Sequence, residues 1–388
     1  MLNFIYHLPT KIYFGPNQLE HLPSAIQEAK GSKILLVYGG GSIKQIGVYD
    51  NITSILQHNN ISYCELPNIP PNPRISDIRK GVDLCHKENI DLLLAVGGGS
   101  SIDAAKAIAA AALYNGDAWG LFTNPEKITA ALPVITVLTL SATGSEMNHI
   151  AVATNEQTLE KIGTRAPVLR PHSSFMDPTY TYSVNKFYTA AGVADIMAHT
   201  FENYFSRHTG GYLQDRFAEG ILKTCIKYGP IVHANPQDYE ARANIMWAGT
   251  WAINGLIGLG KADPWTCHSI VHQIGAHHNV THGAALAVLH PHWMSYVLND
   301  NTVDKFYEYG VNVWGITGTD KYEVAKQAIA QTRTFYNSLD LPSTLAGLGV
   351  GSENFQTIAT KSATAVVRES SYVPLQAEDI LKILKSML

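Results

Sequence analysis

The chain has 388 residues, of which 46% are apolar and 15% charged, so it can bury a large core and has little material for disordered tails. The formal net charge is −4, and the absence of a dense lysine and arginine run argues against a nucleic-acid or membrane-surface partner. No uncharged apolar run reaches the roughly 18 residues of a membrane span. Four scattered cysteines indicate a reducing compartment, so we expect a cytoplasmic protein.

The first half of the chain alternates apolar strands with helical patterns. The amino terminus alternates like a strand, and continuous apolar runs predict further strands at 33–39, 61–66, 91–97 and 132–140. Helical spacing marks the segments 48–59, 74–89 and 99–113. Buried strands separated by helices are typical of an α/β domain with a parallel sheet covered on both faces.

The second half changes character near residue 183, where the strand signals fade. Long helical patterns follow at 185–205, 213–230, 241–258 and 265–287. The segment 175–182, which mixes proline with polar and aromatic residues, is the natural joint. We therefore predict an α/β nucleotide-binding domain over 1–182 and an all-helical domain over 183–388.

Two predicted strands run into glycine triplets. The first turn is Gly39, Gly40, Gly41 and Ser42 with Lys44 behind it, and the second is Gly97, Gly98, Gly99 and Ser100 with Asp103 behind it. Glycines let backbone N–H groups approach a phosphate, and a following helix amino terminus favours negative charge. Ser100 also suits an N-cap position, with Asp103 as its capping-box partner.

Neither turn follows the Gly-x-Gly-x-x-Gly pattern, so each turn alone could be a tight connection without a ligand. Both lie at the carboxyl ends of predicted parallel strands, where open α/β sheets bind ligands. The pair therefore favours a dinucleotide bound across these strand ends.

A third polar cluster follows the strand at 132–140. Thr139, Thr143 and Asn148 offer hydroxyls and an amide that suit ribose, nicotinamide or phosphate oxygens. A polar turn that caps a helix is an equally good interpretation of this cluster by itself. Lys161 lies in a polar stretch, where a solvated surface lysine is the default expectation.

Histidines are concentrated in the helical half, with seven of the 16 between residues 268 and 292. His268 and His272 are four residues apart, so they project from one face of a helix. Asp195 and His199 have the same spacing on a helix that is otherwise made of small and aliphatic residues. A carboxylate is expensive to bury on such a face without a partner, and a divalent cation supplies one.

One carboxylate and three imidazoles form a mixed oxygen and nitrogen donor set suited to Fe(II) or Zn(II). Any one of these residues could instead be an ordinary core or surface histidine, but two i, i+4 pairs together with the histidine cluster favour a metal site. His277, His278, His290 and His292 are expected at the surface or behind the ligands. The predicted ligands are Asp195, His199, His268 and His282.

On these motifs the sequence resembles the iron-containing alcohol dehydrogenase family, in its butanol dehydrogenase and broad-range aldehyde reductase branch. The resemblance covers essentially the whole chain, and it is most specific over the stretches GVADIMAHTFENYF and HSIVHQIGAHHNVTHGAALAVLHP. It implies the dehydroquinate synthase-like fold and a metal-dependent oxidoreductase that interconverts small primary alcohols and aldehydes, as a homodimer.

Carried over residue by residue, the family's metal ligands fall on the four residues predicted above, and His272 falls beside the metal near substrate and nicotinamide. We expect His272 to relay a proton to solvent. The implied cofactor positions are the Gly39 turn with Asn72, Gly98, Gly99, Ser100, Asp103, Thr139, Thr143, Asn148 and Lys161.

The resemblance also bears on cofactor choice. NAD-preferring relatives carry an aspartate at the end of the first strand, which repels the 2′-phosphate of NADP(H). Here that place holds the Gly39–Ser42 turn, and Lys44 lies nearby, so NADP(H) is expected to be preferred over NAD(H). The exact substrate stays open, and glycerol dehydrogenases and dehydroquinate synthases on the same fold are the alternatives, with a non-catalytic metal or nucleotide binder after them.

Overall fold

A computed structural model of the chain describes residues 1–208, 210–262, 265–366 and 371–388. The chain divides into two compact units, one of them His7–Val184 and the other Asn185–Leu388 together with Met1–Tyr6. Met1–Tyr6, which we predicted as the start of an amino-terminal strand, form no regular secondary structure, and the strand begins only at Lys11.

The His7–Val184 unit is an α/β unit built on one six-stranded parallel sheet, with strand order β1-β8-β5-β4-β2-β3. A separate antiparallel hairpin consists of β6 and β7. The strands are β1 Lys11–Phe14, β2 Lys33–Tyr38, β3 Ser62–Leu66, β4 Leu92–Gly97, β5 Val134–Leu138, β6 Ile150–Asn155, β7 Glu160–Arg165 and β8 Ser173–Met176.

The unit contains six α-helices, of which three match the predicted segments and three shorter ones are additional. They are α1 Leu22–Glu28, α2 Ser42–Gln45, α3 Val48–His58, α4 Ile75–Glu88, α5 Gly99–Ala111 and α6 Gly120–Thr123. Strands β4 and β5 are buried along their whole length, which is why they appear in the sequence as unbroken apolar runs. The predicted parallel sheet is confirmed.

Three neighbouring strands end at one level of the sheet. Tyr38 at the end of β2 pairs with Val96, and Gly97 at the end of β4 pairs with Leu138 at the end of β5. The strand order changes direction between β2 and β4, because the chain passes from β2 to β3 on one side and returns to β4 on the other. This reversal creates the crevice in which open α/β sheets bind ligands.

Among the described residues of the second unit, all regular secondary structure is helical. Asn185 caps the first helix, with its side-chain oxygen accepting from the Tyr188 N–H at 2.9 Å. The helices are α7 Lys186–Tyr204, α8 Tyr212–Ala234, α9 Tyr239–Ile253, α10 Thr266–His278, α11 His282–Val297, α12 Val303–Trp314, α13 Lys321–Ser338, α14 Phe355–Val366 and α15 Ala377–Ser386.

Helix α7 lies in the core of this unit and is buried from Thr189 to Tyr204. It packs most extensively against α8 and α11. A helix buried all round carries no clear amphipathic stripe, so any charged residue on it must find its partner inside the protein. Among the described residues, no helix combines the length and the hydropathy that a membrane crossing requires.

Candidate active site

The second glycine turn brings the backbone of α5 close to the loop that follows β5. Gly97 has φ +150°, and a Cβ there would lie 2.7 Å from the Ser101 hydroxyl. A Cβ at Gly99 would overlap the side chain of Thr143. Larger residues would therefore push the two loops apart, and the amino terminus of α5 keeps its backbone N–H groups at the carboxyl edge of the sheet.

A hydrogen-bonded chain connects three of the predicted cofactor residues. The Asn72 backbone N–H donates to the Ser100 hydroxyl at 3.3 Å, and the Lys161 ammonium donates to Asn72 Oδ1 at 2.7 Å. Lys161 is buried on β7, so the default expectation of a solvated lysine is wrong. The hairpin β6–β7, which we did not predict, is what carries this lysine to the strand ends.

The predicted capping box at the start of α5 is wrong. Gly98 is the N-cap residue, and no side chain makes a capping hydrogen bond at this end of α5. The Asp103 carboxylate instead accepts hydrogen bonds from the Ser145 hydroxyl at 2.5 Å and the Val152 N–H at 3.1 Å. Asp103 therefore fixes the loop between β5 and β6.

The side chain of Asn148 also forms its hydrogen bonds within the protein. It is 2% exposed, its Oδ1 accepts from the Ile150 N–H at 2.8 Å, and its amide donates to the Thr143 carbonyl at 3.3 Å. Lys106, which is fully buried on α5, also donates to this Oδ1, at 3.0 Å. The polar cluster after β5 is thus a loop whose groups bond to one another. The Thr139 backbone N–H also donates to the Gly97 carbonyl at 3.0 Å.

The first glycine turn is more open than the second. A Cβ at Gly40 or Gly41 would meet nothing within 4 Å. Lys44 is exposed and lies over the Tyr49 ring at 4.5 Å. Glu65 on β3 accepts from the Tyr49 hydroxyl at 2.8 Å, so a carboxylate does lie close to this turn, and no motif in the sequence indicates its position.

The predicted metal ligands converge inside the helical unit. The Nε2 atoms of His199 and His282 lie 3.8 Å from Asp195 Oδ1, and the Nε2 atom of His268 lies 3.9 Å from the same oxygen. Asp195, His268 and His282 have ligand atoms within 4.8 Å of one another, while the His199 ring stacks on His268 at a centroid distance of 4.7 Å. Helices α7, α10 and α11 each supply part of this group of four residues, which we call the metal cluster after its predicted role.

These residues fit a divalent metal ion. Asp195, His199 and His268 are at most 5% exposed. Among the described residues, His268 Nε2 has no hydrogen-bond partner although it is buried. Burial lowers the pKa of His199 well below its usual value, so the imidazole is neutral and able to coordinate. A mixed set of imidazole nitrogens and one carboxylate suits Fe(II) and Zn(II).

The close approach of α7 and α11 depends on a glycine. A Cβ at Gly283, directly after His282, would overlap the Ala191 carbonyl on α7. Only glycine therefore lets the first turn of α11 lie against α7 and carry His282 to Asp195. The metal cluster is in this respect a product of backbone packing.

The remaining histidines have different surroundings. His272 lies beside the metal cluster, with its ring centroid 5.3 Å from that of His282. His290 is fully buried, and burial lowers its pKa to about 4. His292 bonds to Ser386 at 2.9 Å, and the His277 ring is half-buried.

Glu202 and Lys106 are the important residues that the sequence did not identify. Glu202 lies on α7 three residues after His199 and bonds to His268, so its position as a carboxylate on an apolar helix was the available signal. Lys106 had a similar signal, a lysine within a run of alanines. In both cases the partner is distant along the chain.

The comparisons with known proteins agree with this arrangement of sheet, turns and clustered ligands. Residues 9–178 match the iron-containing alcohol dehydrogenase family model, and residues 189–388 match the model of that family's C-terminal part. The chain is 50% identical to NADH-dependent butanol dehydrogenase A of Clostridium acetobutylicum, with 99% of each chain covered. It is 38% identical to the NADPH-dependent aldehyde reductase YqhD of Escherichia coli, with 93% of each covered.

Solved structures show the same likeness. An NADH-dependent butanol dehydrogenase A from Thermotoga maritima has a TM-score of 0.95 at 36% identity, covering 100% of this chain and 99% of its own. The chain therefore belongs to the iron-containing alcohol dehydrogenase family. It is a metal-dependent oxidoreductase that uses a nicotinamide cofactor to interconvert alcohols and aldehydes.

Proposed function

We propose that the enzyme interconverts short, unbranched primary alcohols and their aldehydes, at a metal ion held by Asp195, His199, His268 and His282. The observation that carries the proposal is the convergence of three imidazole Nε2 atoms on one carboxylate oxygen, at 3.8 to 3.9 Å. The relatives' names, butanol dehydrogenase and aldehyde reductase, support the substrate class.

A bound Fe(II) or Zn(II) ion would supply Lewis acidity toward the substrate oxygen. The residues around it supply position and a proton path. Asp195 offsets the charge of the ion within an apolar helix, and the neutral imidazole of His199 adds a nitrogen donor. Trp265 sets its ring edge-on to His268, at a centroid distance of 5.0 Å, and gives this side of the cluster an apolar surface.

We propose His272 as the group that exchanges the substrate proton with solvent. It is one turn from His268 on α10 and is partly exposed, whereas His268 is buried. An imidazole between a buried centre and solvent suits proton transfer near neutral pH. We expect a His272→Ala enzyme to lose rate and to change its pH profile while retaining the metal.

We propose that NADP(H) is preferred over NAD(H). The Gly39–Ser42 turn has open space beside Gly40 and Gly41, and the exposed Lys44 can approach a 2′-phosphate there. Relatives with both preferences occur, since the names of two butanol dehydrogenases specify NADH and that of the aldehyde reductase specifies NADPH. The proposed preference for NADP(H) therefore depends on the open turn and on Lys44.

The test is NADPH oxidation with butyraldehyde by protein purified without oxygen, stripped of metal and reloaded with Fe(II) or Zn(II). We expect activity to disappear on stripping and to return with metal. The same assay with NADH gives the cofactor preference, and equal kcat/KM values for the two cofactors would contradict the NADP(H) proposal. Turnover of glycerol in place of butyraldehyde would contradict the substrate class.

We further propose that the chain forms a homodimer through its amino-terminal segment, in a reducing, cytoplasmic compartment. The segment packs along the helical unit, where the Leu2 N–H donates to the Gly260 carbonyl at 2.8 Å. Five of the six residues of this segment are large, mainly apolar and at least 39% exposed: Met1, Leu2, Phe4, Ile5 and Tyr6. Exposed apolar residues in this density are typical of an association surface. Light scattering should give a dimer for the wild type and a monomer for Ile5→Glu, whereas a monomeric wild type would exclude the proposal.

A further inference from the structure

Glu202 lies on the same face of α7 as two of the proposed metal ligands. It follows Asp195 by seven residues and His199 by three, and this spacing places the three side chains in one row along the helix. The Glu202 side chain is 4% exposed. A buried carboxylate requires donors that offset its lost hydration.

Those donors come from the start of α10. Glu202 Oε2 accepts from the Thr266 N–H at 2.9 Å, and Oε1 accepts from the His268 N–H at 2.9 Å. Helix α10 has no side-chain cap of its own, because Trp265 is its N-cap residue. Glu202 therefore satisfies, from another helix, two of the N–H groups that every helix leaves unpaired at its amino end, and it meets the positive end of the helix dipole.

The third donor is the imidazole of a proposed metal ligand. His268 Nδ1 lies 3.1 Å from Glu202 Oε1. Glu202 accepts the Thr266 and His268 N–H groups at the positive end of a helix dipole, and this setting stabilises its ionised form. An ionised carboxylate is only an acceptor, so the proton of a neutral His268 must be on Nδ1. The lone pair is then on Nε2, the atom that lies 3.9 Å from Asp195 Oδ1.

We propose that Glu202 is a positioning residue for the metal centre, which anchors the first turn of α10 and holds His268 in the tautomer whose Nε2 binds the ion. The proposal rests on the proposed function, because it takes His268 as a ligand. The same carboxylate thereby anchors the start of α10 and influences how strongly His268 donates to the ion. A carboxylate behind a ligating histidine also raises the basicity of the imidazole.

A second arrangement around Glu202 would be an ion held between Glu202, Cys267 and His290. Their ligand atoms lie within 4.8 Å of one another. The Glu202 carboxylate, however, already accepts three N–H groups. We therefore assign Glu202 to His268, with Cys267 and His290 as its packed neighbours.

The test compares metal affinity in Glu202→Gln and in a control variant. Glutamine has nearly the same shape, but it cannot accept all three hydrogen bonds with full charge. Glu219→Gln is the control, because Glu219 on α8 is equally buried and accepts from the Tyr204 hydroxyl at 2.8 Å and the Asn312 amide at 3.0 Å. Both variants lose a buried, hydrogen-bonded charge in the helical unit, but only Glu202 bonds to His268.

Zn(II) affinity is measured by competition with a chromophoric chelator, and the visible bands of the Co(II)-loaded protein report the ligand field. We expect Glu202→Gln to weaken Zn(II) binding roughly 10- to 100-fold and to shift the Co(II) bands, while Glu219→Gln keeps both. The thermal midpoints of the metal-free variants separate this effect from stability.

Wild-type affinity in Glu202→Gln, or an equal loss in Glu219→Gln, would overturn the role of Glu202. A wild-type protein that bound neither metal would instead overturn the proposed metal centre itself. The two failures are therefore distinguishable in one experiment.

Discussion

The Lys106 ammonium donates a 3.0 Å hydrogen bond to the side-chain carbonyl of Asn148, at a position in the α/β unit where Lys106 has no exposure. The same ammonium reaches the Ser145 hydroxyl at 2.9 Å and the Ile150 carbonyl at 3.0 Å. Lys106 thus ties α5, which opens at the second glycine turn, to the polar loop after β5. A predicted cofactor-binding loop owes its shape to one buried lysine.

We predict that Lys106→Met destabilises the protein by about 3 kcal/mol, because it leaves the buried oxygens of Ser145, Asn148 and Ile150 without their donor. The loop should also lose its fixed shape, so the KM for the nicotinamide cofactor should rise more than kcat falls. Urea denaturation and steady-state kinetics measure the two effects. Lys80→Met is the control, since Lys80 is an exposed lysine on α4 and should change neither quantity.

The pH dependence of stability offers a second test of Lys106. Burial lowers its pKa from 10.5 to about 7. Between these pH values the unfolded chain binds more protons at this site than the native state does, so the site's contribution to stability rises with pH through this window. The free energy of unfolding of the wild type minus that of Lys106→Met should therefore grow when measured near pH 6.5, 8 and 9.5.

A difference that stayed flat would mean that Lys106 keeps its proton over the whole range. The attraction of Asp103 and Glu146 would then outweigh burial, because these two carboxylates favour the charged ammonium. The comparison with the variant cancels the titration of other groups, provided that they do not interact with Lys106.

The parallel sheet could be predicted because its central strands are buried on both faces, and unbroken runs such as Leu92–Gly97 are therefore visible in the sequence. The hairpin β6–β7 could not, because β6 is only half-buried and the polar Glu160–Arg165 strand contains no apolar run. Lys161 was for that reason expected at the surface. Its burial is decided by a tertiary contact with Asn72, 89 residues away along the chain.

The metal cluster was more accessible to sequence reasoning than the residues behind it. The i, i+4 spacing of Asp195 and His199 is a local signal that survives folding into α7. Glu202 stands out as a carboxylate on an apolar helix, but the local sequence does not reveal its role, since its partner is 66 residues away. Long-range partners of buried charges depend on how helices pack, and one sequence does not reveal that packing.

Removal of a proposed metal ligand provides a direct test of the centre. We predict that His282→Ala reduces the metal content after purification to a small fraction of the wild-type value and reduces kcat/KM by roughly a thousandfold or more, because a metal that acts on the substrate oxygen contributes several kcal/mol. Metal analysis and aldehyde reduction measure these changes.

His292→Ala is the matched control for this variant. His292 lies on the same helix, and its Nδ1 bonds only to Ser386 among the contacts within the described residues. We expect wild-type metal content and activity for it. An active His282→Ala enzyme with full metal content would remove His282 from the ligand set.

Cofactor preference can be tested at Gly40, where a side chain would meet nothing within 4 Å and the backbone is not in the left-handed region. An aspartate therefore fits there without strain and adds a carboxylate where the exposed Lys44 is proposed to meet the 2′-phosphate. We predict that Gly40→Asp lowers kcat/KM for NADPH roughly 100-fold and changes that for NADH less than about threefold, because like charges at close range cost a few kcal/mol. Gly40→Asn has the same shape without the charge and should change the ratio little. If both variants lowered kcat/KM equally for NADPH and NADH, the turn would act through its shape alone. The preference for NADP(H) would then have to originate elsewhere.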